Sequence, residues 1–328
     1  MRIPNKEISS ILIIKNDKIG DMVLSTCIFR ELKKAFPSSK ITIIASQSNF
    51  PLIEKNPYID KILIQDYPPR GLSGLFSYYK LSKKLKSKNF DLGIDLRGSI
   101  FNILFFLNLA KIKYKIGFYN RFFSKIFVDF AYKKDRKNSH VTFQRLDLIN
   151  KALNLNLKDY WPDIHTDLSD SKALEKLISQ YKLNKFICLL PDSSLEKKQW
   201  SLNKWDVLIK DLQKKYPQIK ILVLGIDNKK ILFLKKQNPK IIIFEKPLPL
   251  RVLYLLFKKA SLTICHDGGT MHLAWAGNSN LLALMEKSLP VNYVKPLGKN
   301  SHIIETEIKS LSVSSVLEKI DKILKNKT

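Results

Sequence analysis

Ser193 and Ser194 stand side by side in the loop Pro191-Asp192-Ser193-Ser194-Leu195-Glu196-Lys197-Lys198-Gln199-Trp200, with Lys198 a few residues on. Adjacent hydroxyls followed by a cation suit a pyrophosphate, which takes hydroxyl and backbone donors and then a balancing charge. A solvated polar loop has the same composition. A second loop, His266-Asp267-Gly268-Gly269-Thr270-Met271-His272, opens into a helix expected over 271–276. Paired glycines let a ligand approach the backbone, and free N–H groups at a helix start attract phosphate. Asp267 is placed to accept from a sugar hydroxyl, although a turn with a cap also explains the glycines. His266 and His272 are badly spaced for two ligands on one helix face, so no metal site is expected.

Gly225-Ile226-Asp227 puts a carboxylate directly after an apolar run, as nucleotide-binding folds do for ribose hydroxyls. Lys15-Asn16-Asp17-Lys18-Ile19-Gly20-Asp21 has a single glycine and is not the G-x-G-x-x-G fingerprint. Asp21 falls at a helix start, where the dipole favours its ionised form. An N-cap role accounts for the same position, and Asp17 is a second carboxylate in the loop. Asp95-Leu96-Arg97-Gly98 adds an arginine in a similar setting.

Short apolar runs precede these loops. Strands are expected at 11–14, 40–45, 61–64, 92–95, 186–190, 220–224, 241–244, 262–265 and 281–284. Helical periods separate many of them: Leu24, Ile28, Leu32 and Ala35 share one face, as do Trp205, Leu208, Ile209 and Leu212. Strands alternating with helices imply parallel sheets covered on both faces. Residues 31–44 (ELKKAFPSSKITII) align without gaps on 211–224 (DLQKKYPQIKILVL), an offset of 180 residues. In each copy a helix ends on an aromatic, proline forces the exit, and a buried strand follows. Two similar doubly wound domains are therefore expected, with a boundary within 160–185 and ligands in the cleft between them, beyond the carboxyl ends of strands.

The chain has 328 residues, enough for about two domains of roughly 150, and its 45% hydrophobic content excludes global disorder. Cys27, Cys188 and Cys265 lie far apart in apolar runs, which excludes a zinc ribbon or a disulfide framework. With a polar stretch at 1–10 and no secretory signal, this fits a reducing cytosol. The apolar stretch 100–110 is about half the roughly 20 residues of a spanning helix and reads as a core helix or an interfacial segment. Fifty-seven Lys and Arg against 29 Asp and Glu give +28, an attraction to nucleic acid, anionic lipid or a phosphorylated substrate. An AT-rich genome would produce the same bulk bias. The segment 111–137 stands apart, with nine basic residues and two acids interleaved with Tyr114, Phe118, Tyr119, Phe122, Phe123, Phe127, Phe130 and Tyr132. That mixture suits a membrane interface or single-stranded nucleic acid, although some of those aromatics must simply be core. No RNP-type or helix-turn-helix signature accompanies it.

Taken in order, Ile19-Gly20-Asp21, Ser193-Ser194…Lys198-Gln199-Trp200, Gly225-Ile226-Asp227 and 267–274 (DGGTMHLA) resemble the heptosyltransferases of glycosyltransferase family nine, which build the inner core of lipopolysaccharide. The resemblance covers essentially the whole chain. It implies the GT-B fold, two Rossmann-like domains, here 1–168 for the acceptor and 169–328 for the nucleotide-sugar. A C-terminal helix over about 312–326 is expected to pack back on the first. It implies an inverting, metal-independent transferase without a cofactor, taking ADP-heptose to an anionic, lipid A-linked acceptor. Asp21 would be the general base; Ser193, Ser194 and Lys198 would hold the diphosphate and Asp227 the ribose. Asp267, Gly268, Gly269 and His272 would line the donor pocket. Lys15, Lys18, Arg97 and Arg121 are the candidates for touching the acceptor. The family usually has Asp-Thr-Gly where this chain has Asp267-Gly268-Gly269, and often Glu where it has Asp227. The implied place is the cytoplasmic face of the inner membrane, as a peripheral monomer that binds no nucleic acid. The competing readings are a transferase of another nucleotide-sugar, an epimerase of the same build, a basic nucleic-acid-binding protein, and a catalytically dead binding subunit, against which the intact Asp21, Lys198 and Asp267 argue.

Overall fold

Runs such as Ile11–Ile14 are apolar at consecutive positions, so both faces of the strand they form must be covered; all four residues are fully buried. In the computed structural model, which describes residues 3–4, 8–119 and 125–325, the chain divides between His165 and Thr166 into two α/β units. The first holds a six-stranded sheet: β1 (Ser10–Lys15), β2 (Lys40–Ala45), β3 (Lys61–Ile64), β4 (Leu92–Asp95), β5 (Tyr114–Tyr119) and β6 (Phe130–Lys133), in the order β3-β2-β1-β4-β5-β6. The second holds β7 (Phe186–Leu190), β8 (Lys220–Val223), β9 (Leu262–His266), β10 (Leu281–Glu286) and β11 (Ser301–Thr306), ordered β11-β10-β9-β7-β8. Every neighbouring pair runs parallel. This is the GT-B fold.

The strand order reverses between β1 and β4 in one unit and between β7 and β9 in the other. Ligands of doubly wound sheets bind at such switch points, outside the carboxyl ends of the strands. The loops after β1 and β4 carry Asp17, Asp21 and Arg97; those after β7 and β9 carry Ser193, Lys198 and Asp267. So the topology gathers most of the chemistry-bearing motifs at one reversal per unit.

The internal echo has a conformational counterpart. The helices Thr26–Ala35 and Leu202–Lys215 end at Phe36 (φ −130°, ψ 70°) and Tyr216 (φ −127°, ψ 62°). Each aromatic N–H donates over 2.8 Å to the carbonyl four residues back, Leu32 or Leu212, before proline stops the helix.

The strand reading needs correction at three places. Residues 241–244 form no strand: Ile242 makes a single parallel bridge to Leu222, between Asn238-Pro239 and the prolines at 247 and 249, which stop further pairing. The segment 111–137 supplies β5 and β6, which the strand reading missed, and some of its aromatics are core as expected. Phe118 is buried, the Tyr132 ring meets it edge-on at 5.8 Å, and the Tyr132 hydroxyl donates to Asp147 over 2.5 Å. Arg121, Phe122 and Phe123 lie outside the described residues. β11 was also missed: its apolar run is only Ile303-Ile304, between polar residues, and both are half-buried in the fold.

The apolar stretch 100–110 is a core element. After a short turn of helix it widens into a π-helix, Ile103–Leu109, that buries Ile103, Phe106 and Leu107 beside Leu12 and Ile14. The C-terminal helix, Val313–Lys325, buries Val316, Ile320 and Ile323 in the second unit's own core with Leu212 and Ile221. Among the described residues no helix is long and apolar enough to cross a membrane.

Candidate functional site

In the first unit Lys15 ends β1 with its side chain 1% exposed. A buried ammonium needs carboxylate partners: its Nζ lies 2.6 Å from Asp17 Oδ2 and 3.4 Å from Asp21 Oδ1. Arg145, buried on the helix Val141–Leu153, places Nη2 3.1 Å from the same Asp21 oxygen and donates from Nη1 to the Asp21 carbonyl over 3.2 Å. Arg97 lies 3.2 Å from Asp17 Oδ2 and stacks on Tyr67, 3.7 Å from the ring centre.

Arg97 is aimed by a tight turn. Asp95 is fully buried and accepts the backbone N–H groups of Arg97, Gly98 and Ser99 over 3.1, 2.9 and 2.8 Å; Gly98, at φ +77°, supplies the left-handed step. Burial pushes the Asp95 carboxyl above its ordinary range. Lys134 donates to the Arg97 carbonyl, and burial, then the neighbouring Lys15, brings its ammonium down to about 8. The Asp21 loop is clamped from behind: Asn49 donates to the carbonyls of Lys15 and Asp17 over 3.1 and 3.0 Å, and Ser46 to that of Asp17 over 2.8 Å.

Among the described residues four cations thus gather around three carboxylates, and the carboxylates differ in access. Asp95 is buried, the Asp17 side chain is 5% exposed, and that of Asp21 is 45% exposed. Asp21 is not the N-cap, which falls on Lys18. Lys18 itself is exposed.

In the second unit Lys198 donates to Asp267 Oδ2, joining the loops after β7 and β9, and Ser193 Oγ reaches the Asp267 carbonyl over 3.4 Å. Gln199 holds the Ser193 carbonyl over 2.8 Å and accepts from Lys230 over 2.7 Å. His266 is neutral: its Nε2 accepts the Trp200 N–H over 2.9 Å, and burial brings its pKa down to about 4. Asp192 Oδ2 accepts the N–H groups of Ile226 and Asp227 over 2.7 and 3.0 Å. A Cβ on Gly225 would lie 2.3 Å from that oxygen, so only glycine allows the contact.

Asp227 caps the helix Asn228–Gln237 by accepting from the backbone of Lys229 and Lys230, and its side chain stays 44% exposed. Gly268 is the N-cap of the helix Gly269–Ala276, which begins two residues earlier than expected; a Cβ there would meet nothing within 4 Å. His272 is buried within that helix and Ser194 is exposed. A cavity of about 350 Å³ beside the loop is lined by Pro191, Gln199, Trp200 and Lys230, among others.

Sequence reasoning missed Arg145, Lys134, Asp192 and the part played by His266. Arg145 left one trace: it occupies the apolar face that Val141, Leu148, Ile149 and Ala152 define on its helix, where an unpaired charge is not tolerated.

The model of glycosyltransferase family 9 (heptosyltransferase) matches residues 78–321. Among curated proteins, the chain is 28% identical over 104 residues to lipopolysaccharide heptosyltransferase 3 of Escherichia coli, 31% of each chain. It is 24% identical over 294 residues to lipopolysaccharide heptosyltransferase 1 of Campylobacter coli, covering 82% of this chain and 81% of that one. A family 9 glycosyltransferase structure from Veillonella parvula superposes with TM-score 0.84 at 17% identity, covering 99% of both chains. The E. coli heptosyltransferase WaaC with ADP-2-deoxy-2-fluoro heptose gives 0.75 at 15%, covering 95% and 99%. A putative UDP-N-acetylglucosamine 2-epimerase from Listeria monocytogenes gives 0.62 at 11%, covering 98% and 89%.

Proposed function

The chain belongs to glycosyltransferase family 9, the heptosyltransferases, and on that premise we propose that it moves a heptose from ADP-heptose to the inner core of lipopolysaccharide, with inversion and Asp21 as general base. The observation that carries the assignment of the base is the contrast in access among the clustered carboxylates. A base must touch the acceptor hydroxyl, and Asp21 is 45% exposed where Asp17 is 5% exposed and Asp95 is buried.

In this reading Asp21 takes the hydroxyl proton as the acceptor oxygen forms its bond to the anomeric carbon. The bond from that carbon to the nucleoside diphosphate breaks on the opposite face, and the diphosphate leaves with the electron pair. Lys198, the Ser193 and Ser194 hydroxyls and the N–H groups opening the helix Gly269–Ala276 receive the growing negative charge. A cation and a helix start suffice for that task, so the proposed mechanism is metal-independent. Asp267 and His272 line the sugar side, and the exposed oxygen of Asp227 meets the ribose. Arg97 and Lys18 meet acceptor anions, while buried Lys15 acts through Asp17 and Asp21. A lipid A-linked acceptor places the enzyme at the cytoplasmic face of the inner membrane.

Mass spectrometry of lipopolysaccharide from a strain lacking this chain tests the reading. The expected result is loss of one heptose and everything attached beyond it, restored by the wild-type gene. An unaltered core would overturn it.

A further inference from the structure

The helix Gly71–Lys86 has two apolar faces, and the core uses one. Tyr78 and Leu85 are buried with Phe106 and Leu107 against the π-helix. Leu72, Phe76 and Tyr79, spaced i, i+4, i+7, form a second stripe that is 86%, 66% and 41% exposed. A surface helix ordinarily turns polar residues outward there. The next turn of the stripe brings Lys83, its ammonium 5.3 Å from the Tyr79 ring centre. Lys80, Lys84 and Lys86 flank it, Lys88 follows, and the helix contains no acidic residue.

We propose that this helix lies in the plane of an anionic lipid bilayer. Leu72, Phe76 and Tyr79 enter the boundary between headgroups and acyl chains, and the lysines pair with lipid phosphates. An exposed apolar stripe rimmed by uncompensated cations is the pattern of an interfacial helix. It fits a protein partner poorly, because the cores of protein interfaces are depleted in lysine and Lys83 continues the stripe itself. The lysine stems can lie along the apolar surface while their ammoniums reach the phosphates.

The helix touches the loop that carries the candidate base. The buried Tyr78 hydroxyl donates to the Asp66 carbonyl over 3.0 Å and accepts from Asn16 over 3.2 Å, in the loop that carries Asp21. Docking through this helix would hold that loop near the surface where a lipid-linked acceptor emerges. This last consequence rests on the transferase reading; the docking does not.

The test is flotation of the full chain with vesicles, without donor or acceptor. Vesicles of phosphatidylethanolamine with phosphatidylglycerol are compared with phosphatidylcholine alone. The wild type should bind the anionic vesicles and release them as salt screens the lysines over a Debye length of about 10 Å. Leu72→Ser with Phe76→Ser should lower partitioning roughly tenfold or more, at an unchanged melting temperature because both side chains are exposed. Lys80→Gln, Lys83→Gln and Lys84→Gln together should abolish the preference for anionic lipid. Wild-type binding by both variants would overturn the proposal, as would equal binding of the wild type to neutral vesicles. So would a serine variant that splits a dimer in light scattering while vesicle binding stays intact, since the stripe would then be a protein interface. Heptosyl transfer to a detergent-dispersed acceptor, measured separately, should be unchanged in the serine variant, so failure of either reading is seen apart from the other.

Discussion

Asp21 and Asp17 share Lys15, yet their surroundings differ. Asp17 sits between Lys15 and Arg97 with its side chain almost closed off, whereas Asp21 meets Lys15 and Arg145 with its side chain 45% exposed. Asp21→Asn keeps the shape and can still accept from Arg145, but removes the proton acceptor. Turnover should fall roughly 10²–10⁴-fold with donor affinity near wild type, read from initial rates and from ADP calorimetry. Asp17→Asn instead removes a carboxylate facing two cations. It should leave turnover within about tenfold and cost about 3 kcal/mol of stability in urea unfolding, the scale for breaking a buried pair. The reverse pattern, with Asp17→Asn inactive and Asp21→Asn active, would move the base to Asp17.

Among the elements, the strand β9 ends on His266, and its imidazole holds the loop after β7 through Trp200. That bond needs the neutral ring. Burial sets the folded pKa near 4, against an ordinary 6.5 in the unfolded chain. Between those values the unfolded chain binds the proton and the folded one does not, so stability falls as pH falls from about 6.5 to about 4. The integrated loss is about 3 kcal/mol. Melting temperatures of wild type and His266→Gln over that window check this: the wild type should lose more on acidification than the variant. Parallel curves would mean that His266 titrates normally.

At the scale of the whole chain, each unit closes its own core. Ile187, Leu208, Ile264, Leu282 and Ile320 belong to one buried cluster drawn from the second unit alone. Residues 166–328 expressed by themselves should therefore fold and bind ADP, and Lys198→Ala in that fragment should weaken binding by about 1–3 kcal/mol. Calorimetry gives the answer; a folded fragment without ADP affinity would take the donor site away from this unit. The +28 charge is a property of the entire surface and does not by itself select a partner.

Local signals carried the alternating strands, the repeat at residues 31 and 211, and the loops after β1, β7, β8 and β9. Period, proline exits and loop chemistry are written in neighbouring residues. Strand order was not local: only the sheet shows that the loops with Asp21 and Arg97 flank one reversal and those with Lys198 and Asp267 another. Arg145 stands 124 residues from Asp21 and meets it through packing, so no spacing rule could pair them. Asp21 read as a cap or a base from its position; the fold puts the cap on Lys18, and the exposure of Asp21 beside two closed carboxylates is what supports the proposed base. In the basic-aromatic segment some aromatics were expected in the core, but not which. Composition counts aromatics without saying which face they occupy, and β5 and β6 turn Phe118 and Tyr132 inward. The exposed stripe of Leu72, Phe76 and Tyr79 became visible only once the other face of its helix was filled, because a sequence cannot say which of two apolar faces the core will take.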